Sequence, residues 1–227
     1  MNYRYALPLI ITCSALLSCK KGDNTPVDLA FDYFPLQEGH YTVYDVLEVR
    51  HDAQATIQHD TNRYQLKVVI GDTLLDLQNE IAREYFRYTR PDATTSWELS
   101  DVWTAKISGN RAELVEENQR VIKLVFAPTE DKNWDANAFN TYDELDCHYT
   151  NLHSPASLSG YQFSSTIKVE QEDFFSLIDH RRKHETYAKG VGLIQKFYKH
   201  HEIMNFDTLD IRKGNEIHMK LIEYGEE

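Results

Sequence analysis

From Tyr41 onward the apolar side chains of this chain recur at every second position, a period that strands satisfy and helices do not. Tyr64, Leu66, Val68 and Ile70 alternate with Gln65, Lys67 and Val69, and Gly71-Asp72 then reads as a turn. Tyr41, Val43, Leu47 and Val49 mark an earlier strand, and Phe86 and Tyr88 a later one that ends at Arg90-Pro91-Asp92. Residues 112–126 read as a hairpin with Asn118-Gln119 at its tip, Ile122, Leu124 and Phe126 on one face, and Pro128 closing it. Further strands are expected over 163–169, 193–200 and 217–223. Two stretches break the period. Residues 135–142 suit a short helical turn or an ordered loop. Residues 173–184 suit a helix capped by Asp173, with Phe174, Leu177, Ile178 and Arg181 on one side, or an extended segment. The expected fold is mainly β, all-β or α+β: an antiparallel β-sandwich or strongly curved sheet of about eight to ten strands with one or two short helices.

Composition agrees with a packed domain. Hydrophobic residues make up 41% of the chain, enough for a core. Tyrosine is abundant, at 14, and glycine scarce, at 9, which favours half-buried strands over a glycine-rich nucleotide-binding fold. The net charge of −12 is spread along the chain, so a phosphate backbone is repelled and nucleic acid is not an expected partner.

The N-terminus carries a different signal. Arg4 precedes an apolar run from Ala6 to Leu17 that is too short to span a hydrocarbon core of roughly 30 Å. The run ends in Leu16-Leu17-Ser18-Cys19, which resembles the lipobox of bacterial lipoprotein signal peptides. The resemblance implies cleavage between Ser18 and Cys19 and acylation of Cys19, with palmitate among the expected chains. Residues 1–18 are then the signal peptide, 19–30 the acylated cysteine and flexible tether, and 31–227 one β-rich domain. Such an anchor places the protein in the cell envelope, the outer membrane favoured. Of the three cysteines, Cys13 leaves with the leader and Cys19 is acylated, so Cys147 has no disulfide partner and is expected to be buried and inert.

Four segments extend the likeness. Tyr33-Phe34-Pro35-Leu36-Gln37-Glu38-Gly39, running into Tyr41-Thr42-Val43-Tyr44-Asp45-Val46, resembles the opening of a group of Bacteroidota envelope lipoproteins. Residues 116–126 resemble that group's central hairpin. Trp134-Asp135-Ala136-Asn137-Ala138-Phe139-Asn140 and Tyr187-Ala188-Lys189-Gly190-Val191-Gly192-Leu193-Ile194 resemble two later segments. Ala136 stands where glycine is commoner. The resemblance implies an envelope compartment and a β-rich fold, and supplies no activity.

Residues that could carry chemistry are few. His180 and His184 would share a helical face, but Arg181, Arg182 and Lys183 between them disfavour a dication. Cys147-His148 with His153 lacks a fourth ligand, and His200-His201 point to opposite faces of a strand. No metal site and no cofactor are expected. Neither Gly-x-Ser-x-Gly nor Ser-x-x-Lys occurs, Ser157-Leu158-Ser159-Gly160 is loop-like, and no catalytic residue is assigned. The best candidate ligand loop is 134–142, where Trp134, Phe139 and Tyr142 lie beside Asp135, Asn137 and Asn140. Its structural alternative has Trp134 plugging the core while the polar side chains cap the turn. The expectation is a non-catalytic binding or scaffold module for an envelope protein, peptidoglycan, glycan or lipid. The alternatives are a carrier of a hydrophobic ligand between sheets and a glycan-active hydrolase.

Overall fold

The computed structural model describes residues 28–227, so Ser18 and Cys19 lie outside the described residues. Twelve strands follow one another: β1 (His40–Asp52), β2 (His59–Leu75), β3 (Ile81–Arg90), β4 (Glu98–Ser108), β5 (Arg111–Glu116), β6 (Gln119–Val125), β7 (Asn133–Asp135), β8 (Asp146–Leu158), β9 (Tyr161–Phe175), β10 (Asp179–Ala188), β11 (Gly192–Met204) and β12 (Asp207–Glu226). All belong to one antiparallel sheet, ordered β6-β5-β4-β3-β2-β1-β12-β11-β10-β9-β8-β7. The order is a meander in which the first strand also pairs with the last, from His40 opposite Glu226 to Asp52 opposite Lys213. Joining β1 to β12 brings β6 and β7 face to face.

That meeting is a seam held by side chains as well as backbone. The Ile122 amide donates to the Ala136 carbonyl at 2.9 Å. The Trp134 indole donates to the Ile122 carbonyl at 3.2 Å. The Tyr149 hydroxyl accepts from the Val125 amide and donates to the Val125 carbonyl, each at 2.8 Å. The sheet is thereby rolled into a nearly closed barrel, which removes the exposed strand edges that a flat sheet of this size would present.

The strongly curved sheet is the form observed, with twelve strands in place of eight to ten. Among the described residues the only helical segment is a 3-10 turn at Phe31–Tyr33. The 173–184 stretch is extended: β9 runs through Phe175, β10 starts at Asp179, and the Ser176 amide donates to the Asp179 carbonyl across the turn. Cross-strand pairs of Arg181 with Glu172 (2.9 Å) and Arg182 with Asp173 (3.7 Å) suit this ladder, which overrides the helical spacing of Phe174, Leu177 and Ile178. Gly71-Asp72 is not a turn either. It is an irregularity inside β2, and a Cβ on Gly71 would stand 2.3 Å from the Phe86 ring. The glycine is there to let that ring lie across the backbone. The hairpin tip falls on Glu117-Asn118, both at positive φ, one residue earlier than expected.

Apolar side chains fill the inside. One cluster, including Tyr33, Leu114, Leu124, Phe126, Trp134 and Tyr149, lies behind the seam. A second, including Tyr44, Val46, Leu66, Val68, Met219 and Leu221, lies behind the β1–β12 junction. Alternation sends Asp45, Lys67 and Lys220 to the outer face. This polarity is the reverse of a transmembrane barrel, whose lipid-facing surface is apolar. Packed contacts begin inside the segment read as tether. Asp28 and Asp32 pair with Lys189 at 3.1 and 3.2 Å, and Ala30 is buried.

The interior also holds ions. Lys123 Nζ lies 2.8 Å from Glu185 Oε1, and the Tyr187 hydroxyl donates to Glu185 Oε2 at 2.6 Å. Cys147 is buried near this pair. Burial first, and then the Glu185 charge, push its thiol up to about 12, so almost no thiolate exists at neutral pH. Iodoacetamide should therefore leave Cys147 unmodified in the native protein and alkylate it once urea unfolds the barrel. Labelling of the native state at the denatured rate would contradict the packing described.

Candidate functional site

Ala112 and Leu114 point into the core, so Arg111, Glu113 and Val115 of β5 take the outer face. The tip of the β2–β3 hairpin folds over that face. Asp76 organises the tip: its Oδ1 accepts from the Gln78 amide at 2.8 Å and the Glu80 amide at 3.0 Å, while Asn79 takes a positive φ. Its Oδ2 receives Lys106 Nζ at 2.6 Å, and Lys106 also binds Glu80. Lys106 together with the two backbone donors holds the Asp76 carboxyl down to about 2. Arg120 donates to Gln78 at 2.8 Å. Beneath the tip Glu113 is buried, with Arg111 at 3.0 Å, Arg120 at 3.7 Å and Lys106 at 3.8 Å. Beyond the β3–β4 ladder, which ends at Arg83 opposite Ala105, the tip is thus pinned by charge.

Pinning the tip this way turns its leucines outward. Leu77 is fully exposed and Leu75 two-thirds exposed. Between them and the 134–142 loop runs an open groove of about 650 Å³, whose apolar wall is Leu74, Leu75, Leu77, Val115 and Phe139. Arg120 and Asn118 supply its polar edge. The volume suits a small ligand or a few side chains of a partner.

The 134–142 loop divides into two kinds of residue. Trp134 is buried with its ring 4.8 Å from that of Tyr149. Asp135 accepts from the Asn137 and Leu145 amides at 2.8 and 2.9 Å. Asn137 donates to the Asp143 carbonyl at 2.6 Å. Asn140 donates to the Arg120 carbonyl at 2.9 Å and takes the Tyr142 amide at 2.8 Å. The polar groups are thus engaged in shaping the loop itself. Phe139 and Tyr142 are about half exposed or more, and Phe139, under the Arg111 guanidinium at 5.0 Å, is the one that lines the groove.

The other sequence candidates are scattered. His180 and His184 share a strand face four residues apart, about 13 Å at the usual rise, too far to share an ion. His153 accepts or donates at the Tyr33 hydroxyl, 2.9 Å away, while Cys147 is buried in the core. Ser159-Gly160 is the β8–β9 turn. Sequence reasoning missed the leucines of the β2–β3 hairpin. Their signal is Leu74-Leu75-Asp76-Leu77, where apolar residues occupy both faces of a strand that ends there.

The fold and groove define a filled, water-facing meander barrel with an apolar surface groove. No family model matches the chain, and no curated protein matches it. Among solved structures it is similar to one described as a "putative lipoprotein" from Parabacteroides distasonis, at 12% identity and a TM-score of 0.40, over 85% of this chain and 98% of that one. A likeness that loose says nothing about what this chain does.

Proposed function

We propose that the chain is a cell-envelope lipoprotein of the Bacteroidota type, anchored through acylated Cys19, whose barrel is a non-catalytic docking module. The leader and Leu16-Leu17-Ser18-Cys19 support the anchor, and the outer membrane is its proposed site. The groove framed by Leu75, Leu77 and Phe139 is the observation that carries the docking role. Its chemistry, an apolar floor with an amide and a guanidinium at the edge, fits a segment of an envelope protein better than a glycan, because the loop's amides are already engaged. The interior favours docking over carriage. The space lined by Tyr44, Tyr85, Lys123 and Tyr187 is about 40 Å³, room for water but not for an acyl chain. With eight residues between Cys19 and Asp28, the tether spans at most about 30 Å, so a partner is met close to the membrane.

The test has two arms. An alkyne palmitate analogue should label the wild type and not Cys19→Ala, and equal labelling of both would remove the anchor. Photo-crosslinking residues at Leu77 and Phe139 should trap one discrete adduct in the native envelope, while one at Lys220 should not. The same adduct pattern from all three positions would remove the groove from the proposal.

A further inference from the structure

Four histidines stand at one level across five adjacent strands. His59 of β2 is opposite His51 of β1, His51 is opposite Gly214 of β12, Gly214 is opposite His201 of β11, and His201 is opposite His180 of β10. All lie on the outer face, opposite in parity to Met219 and Leu221. Strands two apart are separated by roughly 9.5 Å, yet the His51 and His201 rings are 4.6 Å apart. Gly214 explains the approach: with no side chain there, the two rings lean in over its backbone. A Cβ at Gly214 would meet His201 Cδ2 at 3.0 Å and the His200 carbonyl oxygen at 2.2 Å. Glu216, two residues on, shares the face and places Oε1 2.9 Å from His201 Nε2 and 3.5 Å from His51 Nε2.

We propose that His51, His201 and Glu216 form a binding site for a divalent transition-metal ion of zinc type. One ligand atom from each residue lies within 4.8 Å of the others. The two nitrogen-to-Oε1 distances bracket the roughly 3.3 Å edge of a tetrahedron with bonds of about 2 Å. Both histidines are buried, and His51 Nε2 and His201 Nε2 form no aligned hydrogen bond among the described residues. Glu216 is within ion-pair distance of His201 but out of line with its ring N–H, so the direction a metal would take from that nitrogen is open. Orphaned nitrogens in a buried pair are costly, and a shared ion satisfies both.

The surroundings match a ligand set held from behind. His59 Nδ1 meets His51 Nδ1 at 2.8 Å, which leaves Nε2 of His51 to face the centre. His218 Nε2 meets Glu216 Oε2 at 2.8 Å, which leaves Oε1 to face both histidines. Such partners orient metal ligands and fix their tautomers. Lys199 Nζ, 3.8 Å from Glu216 Oε1, is the competing cation, on a stem long enough to turn into solvent. Imidazole with one carboxylate in a three-ligand set favours zinc and its neighbours over calcium or magnesium.

Full-length protein in detergent, stripped with EDTA, tests the site. Zinc chloride titrated by calorimetry should bind at one ion per chain and raise the melting temperature by about 5 °C at saturation. Cobalt chloride should give the visible ligand-field absorption of a tetrahedral site. Glu216→Gln, which keeps the side-chain shape, and His51→Ala should each abolish the cobalt signal and weaken zinc at least a hundredfold. His59→Ala and His218→Ala should weaken zinc about tenfold, and His148→Ala should change nothing. Circular dichroism establishes that each variant is folded, and if His201→Ala is not, the Glu216 and His51 variants decide. Absence of zinc binding by the wild type, or undiminished binding by folded Glu216→Gln and His51→Ala, overturns the proposal.

Discussion

Replacing Lys123 by alanine should cost about 3–5 kcal/mol, the usual loss when a buried ion pair is deprived of one partner. Lys123 and Glu185 are both buried, so the carboxylate left behind has little water to turn to. Tyr187 would still donate to it at 2.6 Å, but Lys196, at 3.8 Å, is too distant to replace a contact of 2.8 Å. In a domain of this size the loss corresponds to a melting temperature lower by about 10 °C. The double variant Lys123→Met, Glu185→Leu should lose less than Lys123→Met or Glu185→Leu alone, because it leaves no lone charge. Urea denaturation of the three variants reads this directly, and losses that simply add would show that the two residues are not coupled. The pair also fixes an acid response. Burial alone would raise the Glu185 carboxyl, but Lys123 and Lys196 outweigh it and bring it down to about 2. A folded-state value below the unfolded one means that the stabilisation is complete above about pH 4.5 and drains away as the pH falls towards 2. Glu185→Gln should flatten the wild type's loss of stability over that window.

This interior pair shows what the sequence conceals. Lys123 and Glu185 are 62 positions apart, and each reads alone as a surface charge. Where a strand has one apolar face and few bulges, alternation reads cleanly, as in β2 around Leu66, Val68 and Ile70 and in the β5–β6 hairpin. Where the inner face carries ions, alternation weakens. In β10 the inward positions Lys183 and Glu185 sit among Arg181, Arg182 and His184, and the stretch then mimics a helix. Bulges have the same effect, since the register shift opposite Thr186 and Tyr187 inserts Ile194 into β11 and reverses the parity on which the reading depends. The groove was half legible: Phe139 stood out as an aromatic in a polar loop, whereas Leu75 and Leu77 gain meaning only once Asp76, Lys106 and Arg120 fix the hairpin tip. The histidine cluster could not be read at all. Its ligands come from β1, β11 and β12, and only the pairing of the first strand with the last brings position 51 beside positions 201 and 216. Sequence reasoning weighed ligands close together in the chain, His180 with His184, Cys147-His148 with His153, and His200-His201, and so looked along strands, while the cluster runs across them.

The seam opposite that junction predicts the other large effect. Trp134→Ala should destabilise the protein by about 3–5 kcal/mol, since it removes a buried ring packed on Tyr149 and an indole bond to the Ile122 carbonyl. The damage should be local before it is global. β6 and β7 are not joined by a regular ladder, so the Ile122–Ala136 backbone bond, the Tyr149 hydroxyl and the Asn140 bond to the Arg120 carbonyl would be left to hold them. Hydrogen exchange should therefore accelerate first in residues 119–125 and 133–135, with the β1–β12 amides still protected. Phe139→Ala, five residues further along the same loop, should behave in the opposite way. Its ring is about half exposed, so its loss should change stability by no more than about 0.5 kcal/mol while abolishing the crosslink from Leu77. The two variants together assign the loop's two ends: Trp134 closes the barrel and Phe139 meets the partner. Uniform acceleration of exchange in Trp134→Ala would mean that the seam is not a weak line in this sheet, and a stable Trp134→Ala that lost the crosslink would move the binding surface onto the indole itself.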